Sequence, residues 1–389
     1  MRKDGVTPER PARLALTRRG VLAGAIAVVA SRGQGAESGA LSDIVAAFDR
    51  ERERRNVPSI SVALIEEGRV SLCQRGLRSV SRSDAVGPET RYQAASISKT
   101  VAAITAIALS ARGHVALDAD VGTYLKRWRL PQIPAMTSNP VTLRRLFGMT
   151  SGCNVPGYLG YPVDALLPNA VQILAGVPPA NSPPVRIVTS PGTVEAYSGG
   201  GCQVAQVAME DATGRPFAEL VSAYVLRPLA MDRSGFFQPP GHAQRASFAL
   251  AHDDGGREIA GGWHVYPEYA AAGLWSKPSD LARIVLAMIA AHRGDAQTVF
   301  GGSGVTAMLT SVDDLGYGIG VALAGEGNGR IAMKRGNNLG FRSGFVACPG
   351  TGQGAVVMTN GNDGEPVVDA LLDALAEHYR WPARAPWPE

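Results

Sequence analysis

Metal-site spacings are missing from this 389-residue chain. Its histidines, His114, His242, His252, His264, His292 and His378, form no HExxH pair. The four cysteines, Cys73, Cys153, Cys202 and Cys348, show no CxxC spacing and no pairing with histidine, which argues against zinc. A GxSxG elbow is absent, which disfavours the α/β-hydrolase triad. No Rossmann or P-loop glycine pattern follows a strand, so nothing implies a nucleotide or other organic cofactor. Excess charge of one sign is lacking too. With 38 Lys+Arg against 34 Asp+Glu, the net charge of +4 is too small to imply nucleic acid.

What is present reads as an ordinary globular chain, 45% hydrophobic and 19% charged. Its length suits one large domain or two interleaved subdomains. At the N-terminus Arg2, Lys3, Arg10 and Arg13 precede Thr17-Arg18-Arg19-Gly20-Val21-Leu22 and an apolar run to Ala30. A basic region, a short apolar run and then small residues is the layout of a secretory signal. Paired arginines mark the twin-arginine variant, which exports folded proteins. The expected signal covers 1–36, with cleavage between Ala30 and Ser38, and the mature protein is expected in the periplasm or outside the cell. The alternative is a plain basic tail. The apolar run is too short to span a bilayer, so no stable span is expected in the mature form. No cysteine lies near it, which excludes lipid attachment there. An oxidising compartment permits disulfides, but a core this large does not need them. Most of the cysteines read as buried apolar fillers, with Cys153 and Cys202 the pair to check.

Leu41–Arg55 reads as an amphipathic helix, and Pro58–Glu66 and Gly68–Gly76 as strands joined by a hairpin at Glu66-Glu67-Gly68. Lys99 to Ala111 is apolar on every face and ends at Gly113, the pattern of a buried central helix. Gln203–Gly214 and Leu281–His292 are further helices. Gly316–Ala324, Ile331–Arg335, Gly344–Cys348 and Ala355–Asn360 return to strands, and Pro366–Tyr379 closes as a helix. The economical architecture is an α+β domain over 41–379: one antiparallel sheet built from both ends (about 41–115 and 265–379), covered by terminal helices, with a mainly helical insertion at about 116–264.

Ser96-Ile97-Ser98-Lys99 sits where a loop enters the buried helix. Residues three apart share a helix face, so Lys99 can reach Ser96. The helix N-terminus favours developing negative charge. A serine is a weak nucleophile without such help, and a buried lysine can lose its proton and serve as base. Tyr92-Gln93-Ala94-Ala95-Ser96-Ile97-Ser98-Lys99 resembles the nucleophile segment of the β-lactamase-related serine hydrolases. That group includes class C β-lactamases, D-alanyl-D-alanine carboxypeptidases, D-amino-acid peptidases and β-lactamase-like esterases. Two further stretches resemble landmarks of the same group: Val141–Leu146 with Thr150-Ser151-Gly152, and Ala271–Leu281. The resemblance runs from about Leu41 to Tyr379 and implies a five-stranded antiparallel sheet with flanking helices and a helical subdomain.

The resemblance also assigns roles. In Pro191-Gly192-Thr193-Val194-Glu195-Ala196-Tyr197-Ser198-Gly199, Tyr197 matches the tyrosine of a Tyr-x-Asn motif beside the serine and lysine. Which of Lys99 and Tyr197 is the acylation base stays open. Gly199 stands where the family usually has an asparagine that holds a substrate amide, which leaves ester cleavage comparatively favoured. Lys334-Arg335-Gly336 resembles the Lys-Thr-Gly strand, and Lys334 points back toward carboxylate-bearing substrates. Ser96 and Asn337 would supply the oxyanion-binding N–H groups, and Asn362 matches a position near a substrate carboxylate. The chain is therefore expected to cleave a small amide or ester through an acylated Ser96, with no metal and no cofactor. A catalytically silent cell-wall ligand-binding protein is the alternative from another class, and oligomeric state is not legible.

Overall fold

The computed structural model describes residues 39–238, 240–295 and 297–382; the export signal expected over 1–36 lies outside them. Nine strands are described: β1 (Ser59–Glu66), β2 (Arg69–Ser79), β3 (Asp84–Ala85), β4 (Tyr92–Gln93), β5 (Trp275–Ser276), β6 (Ala322–Ala324), β7 (Ile331–Asn338), β8 (Phe341–Cys348) and β9 (Gln353–Thr359). The main sheet has the order β3-β2-β1-β9-β8-β7-β6, and β4 pairs with β5 separately. Every pairing of named strands is antiparallel. The two ends of the chain meet in the middle, where Val62 of β1 lies opposite Val357 of β9.

The sheet has seven strands rather than the expected five. Both edge strands are short: β3, which the sequence did not announce, has two residues, too few for an alternating pattern, and β6 has three. The strand expected over Gly316–Ala324 pairs only in its last three residues, because Gly316 and Gly320 take φ of +93° and +82° and turn the chain. The β1–β2 hairpin is as expected. Glu67 and Gly68 both have positive φ, 48° and 77°, the two-residue turn whose twist suits a hairpin.

Residues Ser59 to Ile65 of β1 are all buried, so both faces of the sheet are covered. The helices Gly39–Ala47 and Glu365–His378 pack on β2, β8 and β9, and Pro278–His292 packs on β1, β8 and β9. Gly354 of β9 permits that approach: a Cβ there would lie 2.8 Å from a Val285 methyl. The expected N-terminal helix is two helices, Gly39–Ala47 and Asp49–Arg54, broken at Phe48. Ile97–Ser110 is the buried central helix, with every side chain from Ile97 to Leu109 inside. Beyond it Gly113, at φ +74°, lets the His114 N–H return to the Leu109 carbonyl at 3.0 Å. Between 116 and 264 the regular elements are short apart from Gly199–Thr213, and long loops connect them. All four cysteines are free and buried; burial pushes the Cys153 thiol up to about 12, and Cys153 and Cys202 form no disulfide.

Candidate active site

The segment leading into the central helix is held from several sides. β4 lies against β5, and the Ala94 N–H donates to the Leu274 carbonyl at 2.8 Å. Ser343 of β8 donates to the Ala94 carbonyl at 3.0 Å. A Cβ on Gly336 would come within 2.3 Å of that same carbonyl, so only glycine lets β7 approach here. Under these restraints Ala95 takes φ +49°, a left-handed conformation costing a non-glycine residue about 1 kcal/mol. The backbone then enters the helix with Ser96 partly exposed at its first turn. Ser98, the neighbouring hydroxyl, is buried and fully engaged, donating to the Ala95 carbonyl at 2.6 Å and accepting from the Leu274 N–H at 3.0 Å.

One helical turn on, buried Lys99 donates to Ser96 Oγ at 2.9 Å and to the Ala271 carbonyl at 2.8 Å. The stretch Ala271–Leu281, a family landmark in the sequence, thus borders the site: its first carbonyl orients the lysine and its Leu274 fixes the strand before the serine. Tyr197 arrives from the loop ahead of the helix Gly199–Thr213, whose cap is Ser198 accepting from the Gly201 N–H at 2.9 Å. Lys99 Nζ lies 5.0 Å from the Tyr197 ring centre. Lys334 of β7 donates to Tyr197 Oη at 3.0 Å and to Tyr317 Oη at 2.7 Å.

The charges fix the chemistry of the phenol. Burial raises its pKa, but the charges of Lys334 and Lys99, with Ser96 nearby, outweigh that and bring Tyr197 down to about 8. Lys334 is pushed below its ordinary value, chiefly by burial, with Tyr197 opposing the shift. The site therefore holds a hydroxyl hydrogen-bonded to one amine and a phenol with a lowered pKa hydrogen-bonded to another.

The structure brings Ser96, Lys99, Tyr197 and Lys334 together, with Gly336 behind them. Asn337 is exposed on β7 opposite Arg342. Asn362 belongs to a separate network. It donates to Asp254 at 2.6 Å, and its Oδ1 accepts from Arg342 at 2.9 Å and from the Gly340 N–H at 3.3 Å. Sequence reading missed three groups at or beside the site, Tyr317, the Ala271 carbonyl and Tyr158, and the buried carboxyl of Glu268. Tyr158 covers Gly199: a Cβ there would sit 3.1 Å from the Tyr158 ring and 3.2 Å from the Pro156 carbonyl. Glu268, one residue before the short helix that carries Ala271, is wholly buried with its carboxyl pushed up to about 8 by that burial. The carbonyl and the two tyrosines have no local signal, because a backbone carbonyl leaves no trace in sequence and a loop aromatic has no periodicity.

The family model described as Beta-lactamase matches residues 44–380. The chain belongs to the Beta-lactamase family. Among curated relatives, Esterase EstB of Burkholderia gladioli is 29% identical over 228 residues, 54% of this chain and 54% of the esterase. The Beta-lactamase of Escherichia coli K12 is 24% identical over 242 residues, 60% of this chain and 57% of that enzyme. The chain thus spans about half the length of these relatives. The octameric penicillin-binding protein homologue from Pyrococcus abyssi superposes with a TM-score of 0.71 at 24% identity, covering 87% of this chain and 77% of the other. That likeness supports the α+β fold of the β-lactamase and penicillin-binding-protein type.

Proposed function

We propose that this protein is a serine hydrolase that acylates Ser96 and prefers small esters over amides. The observation that carries the reading is the Lys99–Ser96 contact at 2.9 Å beside a phenol whose pKa is about 8. Lys99, donating to both Ser96 Oγ and the Ala271 carbonyl, orients the hydroxyl. Tyr197 is then the base: with a pKa near 8, roughly a tenth of it is phenolate at pH 7 and half at pH 8. Ser96 Oγ attacks the substrate carbonyl carbon and its proton passes to Tyr197. The tetrahedral oxyanion is held by the Ser96 and Asn337 N–H groups. Collapse expels the alcohol, which takes the proton from Tyr197. Water attacks the acyl-enzyme in the same way, its proton returns through Tyr197 to Ser96 Oγ, and a carboxylic acid leaves. No metal or cofactor enters this sequence.

Two features favour esters. Gly199 offers no side-chain donor for an acylamino substrate, and the Tyr158 ring fills the space where one would project. Lys334, only 5% exposed, spends two of its N–H groups on tyrosines, so a substrate carboxylate gains little from it. A peptidase or β-lactamase activity is the second reading, favoured by the same Lys334 cation lying beside the site. A silent binding protein would have no use for the Ser96–Lys99–Tyr197 contacts. The protein acts, on this reading, in the periplasm or outside the cell after twin-arginine export. The test is intact-protein mass spectrometry with a serine-reactive fluorophosphonate, together with assays on p-nitrophenyl esters, a chromogenic cephalosporin and D-amino-acid peptides. Labelling at Ser96 with turnover of short esters supports the proposal. An unlabelled protein inert to all three substrates refutes it, and efficient cephalosporin hydrolysis would refute the ester preference.

A further inference from the structure

A second phenol stands on Lys334. Tyr317, 2% exposed, accepts from Lys334 Nζ at 2.7 Å, against 3.0 Å for the bond to Tyr197. It lies in the glycine-rich turn just before β6, and that turn is clamped to the central helix. Thr100 Oγ1 donates to the Gly320 carbonyl at 2.7 Å, the Gly320 N–H donates to the Phe147 carbonyl at 3.0 Å, and a Cβ on Gly320 would sit 2.4 Å from Ala103. The Tyr317 hydroxyl is therefore fixed relative to the helix that carries Ser96 and Lys99.

Buried ammonium groups keep their charge only where acceptors replace water. The groups facing Lys334 are Tyr197, Tyr317, Lys99 and Cys202, and Glu195 stands nearby, two residues ahead of Tyr197. Lys99 disfavours a second positive charge, and Cys202 is a buried thiol with a raised pKa. That leaves the two phenols as the acceptors of Lys334. Tyr197 must change its proton during the reaction, whereas Tyr317, whose pKa burial drives well up, stays a neutral phenol.

We infer that Tyr317 is a positioning residue of this site: it holds the Lys334 ammonium charged and against Tyr197, so that Tyr197 can act as base near neutral pH. The inference rests on the acyl-transfer reading above and names a residue outside it. Loss of the Tyr317 hydroxyl leaves a buried N–H without its acceptor and weakens the charged form of Lys334. The Tyr197 phenolate then loses part of its stabilisation, and the base becomes available only at higher pH.

The experiment is Tyr317→Phe, with kcat/KM for a p-nitrophenyl ester and the rate of fluorophosphonate labelling measured from pH 6 to 10. The rising limb of both profiles should move up by about one pH unit, with KM little changed. In a Lys334→Ala background the same substitution should add nothing, because Tyr317 acts through the lysine. A limb that stays in place overturns the inference. So does a Tyr317→Phe loss as large without Lys334 as with it, since that marks a merely structural role. Wild-type protein that neither turns over nor labels overturns the acyl-transfer reading and this inference together, whereas labelling at Ser96 with an unmoved limb overturns this inference alone.

Discussion

Glu268 should make the protein less stable as pH rises. Its side chain is wholly buried, and neither carboxyl oxygen meets a hydrogen-bond partner of good geometry. Burial pushes the carboxyl up to about 8 from an ordinary 4.5, and the Tyr161 phenol beside it offsets only part of that. Between those two values the folded protein keeps a proton that the unfolded chain has released. The contribution is therefore complete below pH 4.5 and is lost as pH climbs toward 8 and the charged form becomes the reference. One proton is worth about 1.4 kcal/mol per pH unit, so the loss from pH 5 to pH 8 is about 3–4 kcal/mol. Against typical domain stabilities of roughly 5–15 kcal/mol that is a large share. Glu268→Gln keeps the shape and cannot titrate. Urea unfolding of both proteins at pH 5, 6, 7 and 8 should show the variant gaining about 3 kcal/mol on the wild type across that range. Any fixed cost of fitting the amide cancels, because only the change with pH is read. Parallel stability curves would refute the reasoning and show that the carboxyl is solvated or paired in solution.

The other expectations are quickly stated. Ser96→Ala should abolish ester turnover and fluorophosphonate labelling while urea unfolding stays cooperative; labelling that survives there and vanishes in Ser98→Ala would transfer the nucleophile to Ser98, against its two buried hydrogen bonds. Gly199→Asn alone should do little for acylamino substrates, because its Cβ would press on the Tyr158 ring at 3.1 Å. Combined with Tyr158→Ala, it should raise the acylamino-to-ester ratio of kcat/KM about three- to tenfold, the value of one hydrogen bond; an unchanged ratio would show that another group serves as donor. Replacement of Arg18 and Arg19 by lysine should hold the protein in the cytoplasm, as fractionation would read, and normal export of the variant would point to the general secretory route.

Much of the fold was legible because its signals are local. The apolar stretch entering at Ser96 announced a buried helix, and Glu67-Gly68 announced a hairpin whose register then put Val62 opposite Cys73. The i, i+3 spacing of Ser96 and Lys99 is itself a statement about one helix face, and the structure closes it at 2.9 Å. Tyr197 and Lys334 were named only through resemblance to a family, because nothing near either residue in the chain says that they meet. Edge strand β3 left no pattern, being too short for alternation to register, whereas β6 is the last part of a longer strand that the sequence suggested.

What the sequence by itself determined, then, is most of the elements and the meeting of Ser96 with Lys99, since both follow from periodicity and spacing within one segment. Tertiary structure alone decided which groups surround that pair. Folding brought Lys334 and Lys99 to one phenol, where their charges draw its pKa down to about 8 against the effect of burial, turned Lys334 toward Tyr317, laid Tyr158 over Gly199 and shut Glu268 away from water. Each of these depends on desolvation and on charges brought together through space by segments distant in the chain. Such quantities come into being only when the sheet closes and water leaves.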